Sequence, residues 1–212
     1  MMSGRPGRLG EALVFTAGMA VFAACAHRPV LAAPRVAGLL VAGAALARGI
    51  ARSPRPWALL GATGLARRRL IYIPLAIGLG LALAVLYRGV QGQRLLPARL
   101  TWFCLVAGGI GACEEVAYRG FVQGCLRKYG LWAACVGAAL AHAAYKCCLF
   151  VWPEVAVRAD LLWLAAGTVV VGVVFGLMRE ATGSVLLPLA AHVTFDVVAY
   201  GDLTSAPWWV GI

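Results

Sequence analysis

Residues 105–121, LVAGGIGACEEVAYRGF, hold two adjacent carboxylates, Glu114 and Glu115, in surroundings almost as apolar as lipid, with Arg119 four residues beyond the second. A charged side chain at the centre of a bilayer costs roughly 2.5 to 3.5 kcal/mol on insertion scales, so an acidic pair at that depth needs a functional reason. The chain has only eight acidic residues, and two of them stand here.

The composition makes the apolar setting general. Hydrophobic residues fill 62% of the 212 positions, charged residues only 13%, and mean hydropathy is +0.86. Soluble domains carry about a quarter charged residues, so the unit of structure here is the membrane helix of ~20 apolar residues. The expectation is an all-α polytopic transmembrane helix bundle. Apolar runs between basic clusters give about seven spans: 10–26, 30–47, 70–87, 100–126, 131–150, 161–178 and 184–200. Pro34 and Arg35 shorten the second to a core near Val36–Ala47, open to a re-entrant reading. The fourth is read as one helix of about 40 Å, with a break expected near Gly108, Gly109 and Gly111.

The net charge of +11 would point to nucleic acid in a soluble chain, but its distribution fits membrane topology better, and no nucleic-acid partner is expected. Arg48, Arg52, Arg55, Arg67, Arg68 and Arg69 share one connection, cytoplasmic by the positive-inside rule. Alternation then puts Arg5, Arg8, Arg127, Lys128 and Arg179 inside, and Arg28, Arg35, Arg88, Arg94, Arg99 and Arg158 outside. Trp57, Leu59, Leu60 and Leu65 could lay the basic connection along an anionic leaflet, or it is a solvated loop. Trp102, Trp132, Trp152, Trp163, Trp208 and Trp209 fall near span ends, where indole belts form. A first span that stays in the membrane suits the pattern better than a cleaved signal peptide ending near Ala33. The seven cysteines follow no C-x-x-C spacing and read as buried apolar filler.

Two of the three histidines lie inside spans: His142 in LWAACVGAALAHAAYKCCLF and His192 in GSVLLPLAAHVTFDVVAY. Measured from the cytoplasmic ends of their helices, Glu114 and His142 lie roughly 18 Å in and His192 roughly 12 Å in, so the three can converge. Asp196 follows His192 by four residues on the same helix face, and Glu115 and Arg119 have the same spacing. A Glu and a His on different helices can bind and deprotonate a water, and a second His can polarise the carbonyl that the water attacks. Each residue alone has a structural explanation: a buried His bonded to a neighbour, a Glu–Arg pair along a helix, an Asp that fixes a tautomer. Their coincidence at one depth is what packing does not explain.

EEVAYR at Glu114–Arg119, His142, and HVTFD at His192–Asp196 resemble the three signatures of the CAAX-protease and bacteriocin-processing family of glutamic intramembrane endopeptidases, E-E-x-x-x-R, F-x-x-x-H and H-x-x-x-N/D. The resemblance covers residues 100–200, and TGSVLLPLAAH before His192 is similar too. Ala138 stands where the second motif has Phe, and Asp196 where the prenyl-protein proteases have Asn. An ionised Asp accepts hydrogen bonds and cannot donate one. Either Asp196 is protonated and donates, or it orients and charges His192, which then donates alone; the favoured expectation is the second.

The resemblance implies Glu114 as general base on a water also held by His142, His192 with Asp196 as oxyanion stabiliser, and Glu115 with Arg119 holding the geometry. It implies no metal or other cofactor, a membrane-embedded or lipidated peptide substrate, and a multi-pass protein of a prokaryotic cytoplasmic membrane. Residues 1–99 would supply flanking helices and the basic connection, residues 100–200 the catalytic core, and residues 201–212 a short tail. Two rivals remain: a zinc-dependent protease built on two His and a Glu, although no H-E-x-x-H occurs, and a non-catalytic transporter or immunity-type partner.

Overall fold

A computed structural model describes residues 8–63, 70–152 and 160–204. Arg5, Leu65, Arg67, Arg68, Arg69, Arg158, Trp208 and Trp209, to which the sequence assigns topological or interfacial places, lie outside the described residues, as does the tail beyond residue 204. Among the described residues the regular secondary structure is all helical, without a strand. The helices are α1 (Leu9–Cys25), α2 (Ala32–Ala51), the short α3 (Pro56–Leu59), α4 (Tyr72–Val90), α5 (Trp102–Glu114), α6 (Gln123–Leu126), α7 (Leu131–Cys148), α8 (Leu161–Thr182) and α9 (Leu186–Ala199). Each of the seven expected segments therefore coincides with helix, the fourth with α5, the π-helical stretch Glu115–Val122 and α6 in continuous succession.

Among the described residues, four helices are long and apolar enough to cross a membrane: Pro29–Ala51, Tyr72–Val90, Leu131–Cys148 and Leu161–Thr182. Leu9–Cys25 and Leu186–Ala199 are shorter apolar helices. The second segment is longer than expected: Pro34 is absorbed in the first turn of α2, where the missing N–H has no intrahelical partner to lose. The glycines of the fourth segment do not break it. α5 stays α-helical through Gly108, Gly109 and Gly111, and the widening into π geometry begins one residue after Glu114. α8 shows how its ends are set by sequence, with Asp160 accepting from Leu162 N and Trp163 N at 3.0 Å each, and Gly183 in the left-handed region at φ 72° closing the other end.

In lipid, helices associate through small residues that let backbones approach, because no hydrophobic force separates helix from tail. α1 and α2 cross at Gly18 and Gly38, where a Cβ on either would sit 2.7 Å from the other's carbonyl oxygen. α4 meets α9 at Gly80, where a Cβ would sit 2.1 Å from the Ala191 oxygen. α9 thus lies between α4 and α5, α7 pairs with α8, and α1 touches α7 and the π-helical stretch. Two apolar clusters result, one around Phe15, Tyr118, Phe121 and Tyr145, the other around Ala76, Phe175, Leu187 and Ala191.

The contacts between connections fall into two groups. At one, Arg52 pairs with Glu11 at 3.3 Å, Arg127 with Glu180 at 3.0 Å, and Arg179 donates to the Leu59 oxygen at 2.8 Å. At the other, Trp152 donates to the Ala24 oxygen at 2.6 Å and Arg88 pairs with Asp202 at 2.7 Å. Leu59 is buried while Trp57 is 68% exposed, so the described part of the basic connection is anchored through a short helix. Trp102, Trp132 and Trp163 are exposed within the first turns of α5, α7 and α8. Of the seven free cysteines four are buried, whereas Cys113 is exposed and Cys147 and Cys148 are half-buried.

Candidate active site

Glu114 ends α5 and Glu115 opens the π-helical stretch, so the helix widens at the two carboxylates. Such local widening is frequent at functional sites because it re-aims side chains that a regular helix would send elsewhere. Glu114, Glu115, Arg119, His142 and Asp196 are all buried, with Glu115 at 0% exposure, and His192 is partly buried. All six residues singled out by sequence meet in one place.

The contacts are specific. Arg119 Nη1 lies 3.1 Å from Glu115 Oε1 and 2.7 Å from His142 Nδ1. A guanidinium carries only donors, so Nδ1 of His142 accepts, and its proton resides on Nε2. Nε2 then donates to Glu114 Oε2 at 3.1 Å. On α9, His192 Nδ1 donates to Glu115 Oε1 at 2.7 Å, leaving its Nε2 at 3.7 Å from both Glu114 Oε2 and Asp196 Oδ2. Asp196 therefore lies on the Nε2 side of the ring, next to Glu114, and the carboxylate at Nδ1 belongs to Glu115. Close approach is needed there: a Cβ on Gly111 would stand 2.2 Å from Asp196 Oδ2.

Three contributors are not among the residues that the sequence marks for the site. Lys146 Nζ pairs with Glu114 Oε1 at 2.6 Å. Its signal was available, since it follows His142 by four residues and shares its face of α7. Tyr118 stacks on the His142 ring with centroids 4.5 Å apart, and Gly111 makes room for Asp196. An apolar groove of about 320 Å³, walled by Phe15, Met19, Ile110 and Ala117, leads between α1 and α5 to Glu114.

The site suits a polar reaction shielded from water. A carboxylate oxygen, Oε2 of Glu114, faces two imidazole nitrogens across a gap bounded by a further carboxyl group. The donor set fits zinc poorly. A neutral imidazole that binds metal through Nε2 carries its proton on Nδ1 and donates it outward, whereas Arg119 requires Nδ1 of His142 to accept. Among the described residues no group of three or more His, Cys, Asp and Glu side chains is placed to hold a metal ion.

Comparison with known proteins agrees with the motifs. Residues 96–198 match the family model described as type II CAAX prenyl endopeptidase Rce1-like, a span that contains all six residues. No curated protein and no solved structure matches the chain. Helices of membrane-crossing length, the three motifs brought to one buried point, and this match together make residues 96–198 an Rce1-like domain.

Proposed function

We propose that this protein is a multi-pass intramembrane endopeptidase of the glutamic type that cleaves a peptide bond in a membrane-associated, lipidated protein, the substrate class of its family. Residues 100–200 carry the chemistry, and the helices before them complete the bundle within a prokaryotic cytoplasmic membrane, crossed about seven times. The observation that carries the reading is the approach of Glu114 Oε2 to His142 Nε2 at 3.1 Å and His192 Nε2 at 3.7 Å, three groups from three helices.

A water bound in that gap gives a proton to Oε2 of Glu114 as its oxygen attacks the peptide carbonyl carbon. His142, stacked on Tyr118 and held by Arg119, fixes the carboxylate and the water. The carbonyl oxygen becomes an oxyanion facing Nε2 of His192, which donates in its imidazolium form because Nδ1–H is engaged by Glu115. Asp196, on the same side, donates from a protonated carboxyl group. As the C–N bond breaks, Glu114 returns its proton to the leaving amine. No metal enters.

The test is cleavage of a prenylated C-terminal peptide by purified protein in lipid. Glu114→Gln keeps the volume, removes the base, and is expected to lower turnover by about 10² to 10⁴-fold with insertion and thermal unfolding unchanged. Turnover above a few per cent of wild type, or loss of activity together with stoichiometric zinc on chelation, would overturn the assignment.

A further inference from the structure

We infer that Lys146 is a positioning residue for Glu114, seating the carboxylate so that one defined oxygen faces the reaction gap. The inference rests on Glu114 being the base.

The two oxygens of a carboxylate are chemically equivalent, and a free side chain exchanges them by rotation. Here they are held differently. Oε1 is 2.6 Å from Lys146 Nζ, and Oε2 is 3.1 Å from His142 Nε2. His142 and Lys146 come from one face of α7, one turn apart, so a rigid helix grips both ends of the same group. Oε2 is thereby the oxygen turned toward Nε2 of His192.

Charge makes the same point. The ion-pair partners of Glu114 among the described residues are His142, His192 and Lys146. Arg119 holds His142 in a neutral tautomer and is itself engaged by Glu115. From α9, His192 is shared with Glu115 and Asp196. Phe15 and Met19 of α1 bring no charge to the groove at Glu114, and Tyr118 and Tyr145 offer only rings and hydroxyls. Lys146 is thus the permanent cation in contact with a carboxylate that is 6% exposed, and a carboxylate buried without such a partner is strongly disfavoured. Its own side chain is 20% exposed, so the ammonium reaches the site from its rim.

The experiment measures kcat and KM separately for Lys146→Met, Lys146→Gln and Lys146→Arg, with Glu114→Gln in the same assay. Misplacing a reacting group by about 1 Å can cost on the order of 10²-fold. Lys146→Met and Lys146→Gln should each lower kcat by about that factor with KM within about threefold, while Lys146→Arg, keeping the charge and reach, recovers at least about tenfold of the loss. If Lys146→Met does not insert folded, the Gln and Arg pair decides alone. Turnover of the neutral variants within about threefold of wild type, or equal losses for neutral and Arg variants, overturns the inference. An active Glu114→Gln instead removes the base on which it rests, so the two failures are told apart.

Discussion

Arg119 connects the two halves of the site by touching both Glu115 Oε1 and His142 Nδ1. Its planar fork serves two acceptors at fixed angles, which a Lys point charge cannot do. The position of Asp196 supports the first of the two roles weighed from the sequence, the protonated donor, over the second, which the sequence favoured. Glu115 accepts the hydrogen bond from Nδ1–H of His192, so the tautomer does not depend on Asp196, whose Oδ2 faces the reaction side at 3.7 Å from Nε2. Asn in its place can donate to the same oxyanion. Asp196→Asn is therefore expected to retain activity within about tenfold, a loss of under roughly 1.4 kcal/mol in transition-state stabilisation. A loss of several orders of magnitude in kcat/KM would return Asp196 to the role of charging His192.

Helix α9 brings two of the proposed site groups and is held by contacts that tolerate no added carbon. Gly80 on α4 lies against the backbone of Ala191, the residue before His192. A methyl group there would sit 2.1 Å from the Ala191 oxygen, and backbone cannot yield as a flexible side chain can. Gly80→Ala is expected to destabilise the bundle by about 1 to 3 kcal/mol, as overpacking does, and to lower turnover by displacing His192 from Glu115. Thermal unfolding in detergent and the cleavage assay check the two effects together; an unchanged melting temperature contradicts this account of the α4–α9 contact. The widened stretch Glu115–Val122 works in the opposite direction, leaving the backbone continuous while it re-aims Glu115 and Arg119.

Across the whole molecule, polar residues are concentrated in the site and at the two ends of the bundle. The end that binds α4 to α9 is closed by Asp202, which accepts from Arg88 at 2.7 Å and from the Ala98 and Arg99 amides at 2.7 and 3.2 Å. The Arg88 guanidinium, aided by these amides, holds the Asp202 carboxyl below the usual aspartate range. A carboxyl whose value is lowered by folding stabilises above its unfolded pKa of about 3.9, and that contribution fades as pH falls through the folded value. Asp202→Asn should therefore melt below wild type at pH 7, with the difference closing as pH falls below the unfolded value of about 3.9 and through the lower folded one. A constant difference across that range would show that the amide replaces no charge-dependent contact.

Much was legible from residues alone because membrane depth makes charge conspicuous. Seven apolar runs correspond to seven helical segments, and a Glu pair, two His and an Asp in those runs were enough to mark where the helices converge, since each must be partnered in apolar surroundings. Helical spacing likewise determined that Glu115 faces Arg119. Only the tertiary structure decided which nitrogen of each imidazole meets which carboxylate, because that depends on how three separate helices rotate against one another. It placed Glu115 rather than Asp196 at Nδ1 of His192, added Lys146 to Glu114, and gave Gly108 and Gly111 of α5 a role in helix contact instead of a break. Periodicity reports the face on which a side chain stands; packing fixes its partner across an interface to within an ångström.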